Sequence, residues 1–187
     1  MGIDYGQSWV AIANRALGRL GKGRIDNLDT GSELSQYVNT FLGEAIAAVL
    51  SARSWSFAKR EQLVRIALEP AYGYLYAYQL PSDIINLVAV DTGIRSYRPE
   101  GALILTDAET VYITYIPKPA DPGNLPEYIK TAIATHLAFL LTPPLTSNEQ
   151  MAARIMQDKV MSLEEAVRAD ARRFESGAGE SWYDEAR

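Results

Sequence analysis

Apolar residues recur at helical spacing from the first turns of the chain. Trp9, Ile12, Ala13, Ala16, Leu17 and Leu20 share one side of a helix predicted over 7–20. Gly21-Lys22-Gly23 stops it, with a cation near the carbonyl end, where the helix dipole favours one. After a loop, Thr30 and Glu33 read as a capping box. Leu34, Val38, Phe41, Ala45, Ala48 and Ala52 then repeat in steps of four and three, the spacing of a bundle seam. Past Trp55 the period changes to two. Short runs over 63–68, 84–90, 102–105 and 111–116, separated by turn residues, predict antiparallel strands. Tyr72, Tyr74, Tyr76 and Tyr78 occupy successive even positions and share a face if the chain is extended there.

Helical spacing returns at Glu127. Ile129, Ala132, Ile133, His136, Leu137 and Leu140 form a stripe that Pro143-Pro144 is expected to end. Thr146 or Ser147 is expected to cap the last helix, whose stripe runs through Met156, Val160, Leu163, Val167, Ala171 and Phe174. Phe41 and Leu137 lie at the centres of their stripes. The expected fold is α+β and mainly α: a four-helix bundle with a small antiparallel β insertion between helices two and three. Its expected parts are the first two helices (1–55), the β insertion (56–122), the last two helices (123–175) and a flexible tail (176–187), one domain overall. A glycine break precedes Trp182 and Tyr183 in that tail, where they stand among acids. The tyrosine row and these two aromatics are the expected protein-interaction residues, because aromatic side chains with a polar end suit interfaces.

Composition narrows the chemistry. The 187 residues include no cysteine and one histidine, so thiolate sites, disulfides and multi-histidine sites are excluded. His136 sits on an apolar stripe without a carboxylate at ligand spacing and reads as structural. No phosphate loop, nucleophile elbow or metal motif is present, so no catalytic, cofactor-binding or metal residue is expected. No apolar run reaches membrane-span length, and the start lacks a basic and hydrophobic leader, so manufacture in a cytoplasm is expected. Eighteen basic against 23 acidic residues give a net charge of −5, unlike a dedicated nucleic-acid binder. The exception is the basic run Arg53, Lys59, Arg60 and Arg65 around Trp55 and Phe57. It leaves open an alternative, a nucleic-acid-associated regulatory protein using the Arg53–Arg65 region.

A resemblance carries the reading further. Trp55-Ser56-Phe57-Ala58, then Tyr76-Ala77-Tyr78-Gln79-Leu80-Pro81, then the alanine-rich stretch from Ala132 to Leu145 follow in order over about residues 8 to 175. This series resembles the tail tubular protein A family, the head-to-tail adaptor (gatekeeper) proteins of short-tailed, podovirus-type bacteriophages. The resemblance implies a structural virion protein without enzymatic activity or cofactor, assembled in the host cytoplasm. It also implies a homo-oligomeric ring, a dodecamer, between the portal protein and the tail nozzle protein. Genomic DNA would pass through that ring without sequence-specific binding, and no membrane would be involved.

Overall fold

Three helices begin where a side-chain oxygen accepts a free backbone N–H. A computed structural model describes residues 8–29, 31–67, 73–93 and 96–177. Helix α1 spans Trp9–Arg19, with the Ser8 hydroxyl accepting the N–H of Ala11 at 3.1 Å. Helix α2 spans Glu33–Ser51. The expected Thr30 cap falls outside the described residues; the Ser32 hydroxyl accepts the Ser35 N–H at 3.2 Å. Helix α3 spans Glu127–Leu145 and carries Pro143 and Pro144 inside its last turn. The helix therefore outlasts the expected stop: two exposed prolines forfeit only two N–H groups in a last turn that the Thr146 N–H closes onto Thr142 O at 3.0 Å. Helix α4 spans Glu149–Gly177. Its cap is Asn148, whose side-chain oxygen accepts the Met151 N–H at 3.1 Å, instead of Thr146 or Ser147.

Among the described residues seven strands lie between α2 and α3, all paired antiparallel. They are β1 (Lys59–Gln62), β2 (Val64–Ile66), β3 (Tyr76–Gln79), β4 (Ile84–Asp91), β5 (Tyr97–Glu100), β6 (Leu103–Thr106) and β7 (Tyr112–Pro117). One sheet has the order β1-β7-β4 and the other β2-β3-β6-β5. Only Leu63 separates β1 from β2, and its N–H donates to Val111 O at 2.8 Å. One extended stretch thus serves the first sheet and then the second, the usual way a strand turns a corner between packed sheets. The β5–β6 hairpin closes on Gly101-Ala102. Gly101 has φ 57°, the positive value a two-residue hairpin requires.

The chain divides into two compact units, 1–49 with 119–187, and 50–118. In the helical unit, α1 and α4 both pack on α3. Ile12 and Leu17 of α1, Ile129, Ile133 and Leu137 of α3, and Ile155 and Ala166 of α4 are buried. Arg15 pairs with Glu127, and the Tyr128 hydroxyl donates to the buried Asp170 carboxylate at 2.8 Å. In the sheet unit, Leu63, Tyr78, Ile104, Val111, Ile113 and Tyr115 form one core drawn from both sheets.

The expected four-helix bundle with a small β insertion is thereby corrected to a mixed α+β fold. At about 1.5 Å per residue, α1 is roughly 16 Å long against roughly 43 Å for α4, too short to be an equal bundle member. The β region is two sheets closing on their own core, not a decoration of the helices.

Candidate functional site

The three described tyrosines of the expected interaction row are buried or half-buried. Tyr78, in the centre of β3, is buried, and its hydroxyl donates to Ala108 O at 2.8 Å. Burial raises its pKa above 10, and the Arg65 charge partly opposes that. Tyr78 is thus a core residue and presents no face to a partner. Tyr76 packs on the margin of the same core, and the Arg65 guanidinium lies 3.8 Å from its ring centre. Tyr74 precedes the strand and is half-buried. The even-position rule fails for it because β3 begins only at Tyr76. Tyr72, Trp182 and Tyr183 lie outside the described residues.

The basic run is held by local partners. Lys59 Nζ donates to Glu61 at 2.7 Å and reaches the Tyr115 hydroxyl at 3.5 Å, while that hydroxyl donates to the same carboxylate at 2.8 Å. The contact with Glu61 raises the Lys59 pKa, and the ammonium in turn lowers that of Glu61. Burial, then the neighbouring Glu61, pushes the Tyr115 phenol up. Arg60 bonds Asp91 at 3.1 Å and lies 5.2 Å from the centre of the Tyr112 ring. Arg53 lies 5.7 Å from the Trp55 ring, which stacks on Phe57. Lys59 and Arg60 therefore have carboxylate partners. A phosphate backbone would have to displace these before it gained their charge.

His136 is half-buried on α3, edge-on to Phe139, whose ring carries the Lys159 ammonium of α4 at 4.0 Å. Burial lowers its pKa below 6.5 and Lys159 adds to that, while Glu44 of α2 opposes both. The unfolded chain therefore takes up this proton first. Stability is full above about pH 6.5 and falls as pH drops toward the folded-state pKa. His136→Gln should remove that part of the acid sensitivity. Thermal midpoints of both proteins between pH 7.5 and 5 test it, and parallel curves would refute it. Among the described residues no three His, Cys, Asp or Glu side chains group as metal ligands. No described helix is long and apolar enough to cross a membrane.

The sequence reading missed the surface that α4 leaves open. The row facing inward is Ile155, Ala166 and Asp170, all buried. The apolar stripe is a different row, rotated by roughly 100° about the helix. Met156 is 58 % and Val160 49 % exposed, Leu163 and Val167 are half-buried, and Ala171 is exposed. A third row, Arg154, Met161, Glu165, Arg168 and Arg172, is wholly exposed, with Met161 at 59 %. Glu164 lies between the two open rows and accepts from Arg168 at 3.2 Å. The signal was present in the sequence as six regularly spaced apolar residues; spacing alone does not say which rows a neighbour covers. Compared with family models and with curated proteins, the chain matches none.

Proposed function

We propose that this chain is a structural protein of a bacteriophage virion: a connector adaptor that joins the portal to the tail nozzle. It would assemble as a homo-oligomeric ring, a dodecamer in the particle, with DNA passing through its channel. The order of the short motifs around Trp55, Tyr76 and Ala132 supports this reading. The observation that carries it is the open apolar stripe of α4, with methionine and valine exposed on a helix whose other side is already packed. Exposed apolar rows of this kind serve assembly more often than catalysis.

The purified chain should cosediment in a gradient with tail-less, DNA-filled heads bearing the portal, and not with portal-free capsids. Equal recovery from both would sink the assignment. Salt-dependent retention on DNA cellulose without head binding would favour the regulatory alternative based on Arg53–Arg65.

A further inference from the structure

We infer that the open apolar stripe of α4 is covered by the arginine–methionine row of α4 from a second copy of this chain. The stripe Met156, Val160, Leu163, Val167 and Ala171 advances in steps of three and four, the spacing by which one helix seats against another. Its outer border carries a carboxylate, Glu164, with the neutral Gln157 about two turns before it. A fitting partner is therefore helical, apolar at its centre and basic along the margin that meets Glu164. The far row of the same helix has that composition: Met161 stands among Arg154, Arg168 and Arg172, with Glu165 as its one acid. With two α4 helices side by side and parallel, Met161 of one copy meets the Met156–Val160–Leu163 stripe of the other. Glu164 then faces the neighbour's arginines.

The two rows are different surfaces, so the contact is heterologous. Each copy that uses its stripe still offers its arginine row, and growth continues until the rotation closes. Closure into a ring rests on the function proposed above; the helix-to-helix contact does not need it.

The test is complementation by sedimentation velocity, with the chain alone. Val160→Lys places a charge in the stripe, and Met161→Lys places one in the arginine row. Both positions are about half exposed, so folding should survive, and helical circular dichroism checks it. Val160→Gln and Met161→Gln are the milder pair if either lysine variant loses helix. The wild-type chain should self-associate beyond a dimer, and each variant alone should weaken association by about tenfold or more. A one-to-one mixture of the two should form dimers and stop there, because each retains the row the other has lost.

A wild-type chain that stays monomeric, or a mixture that does, overturns the contact. So does loss of association in Val160→Lys with none in Met161→Lys, the pattern of two stripes meeting face to face. Complementation without binding to portal-bearing heads would overturn the adaptor assignment and leave the contact standing.

Discussion

Tyr115→Ala is expected to destabilise the sheet unit by about 3–5 kcal/mol, the cost of deleting a large buried ring. Tyr115 sits near the middle of β7, pairs in register with Lys59 of β1 and Leu87 of β4, and is 1 % exposed. Its ring belongs to the core that both sheets share, so the cavity opens where neither sheet can collapse alone. Tyr115→Phe separates the ring from its hydroxyl. It keeps the packing and leaves Glu61 bonded to Lys59 at the solvent margin. Its cost should therefore be no more than about 1 kcal/mol, the net value of an ordinary hydrogen bond. Chemical denaturation of the two variants checks the pair. Similar losses in both would place the weight on the hydroxyl and not on the core.

The second large effect belongs to α3. Leu137→Ala should cost about 2–5 kcal/mol, since Leu137 is fully buried in the helical unit. Phe41→Ala should cost less, on the order of 1–2 kcal/mol, because that ring is only half-buried on α2. Thermal and urea unfolding followed by helical circular dichroism distinguish them. A larger loss in Phe41→Ala would mean that the inward side of α2 has been misassigned.

Those two residues also mark how far the sequence is legible. Both are central in their stripes, and periodicity ranks them alike; burial divides them, because a stripe names a face and not the neighbour that covers it. The same ambiguity hid the open row of α4, whose spacing is that of a packed seam. Strand β1 escaped notice for the opposite reason. Lys-Arg-Glu-Gln has no apolar residue, and its place in the sheet comes from pairing with β7. Strand β5 holds Pro99 and falls between the expected runs 84–90 and 102–105, yet it lies at a sheet edge where a missing N–H costs little. The short apolar runs that became β4, β6 and β7, and the segments that became α1, α2 and α3, were readable because their own apolar side chains form or flank the cores.

The order in which the helical unit is synthesised differs from the order in which it can be completed. Helix α1 packs on α3, yet nearly the whole of 50–118 is translated after the first two helices and before the third. At about 5–20 residues per second, those roughly 70 residues hold the ribosome for about 4–14 s. During that interval Ile12, Ala16 and Leu17 have no α3 to cover them. The sheet unit owns a core and can fold in that interval, which shortens the span that α1 must close to reach its partner. Slowing the folding of the sheets would therefore prolong the exposure of a helix they do not contain, and a defect in 50–118 would surface as aggregation through residues 9–20.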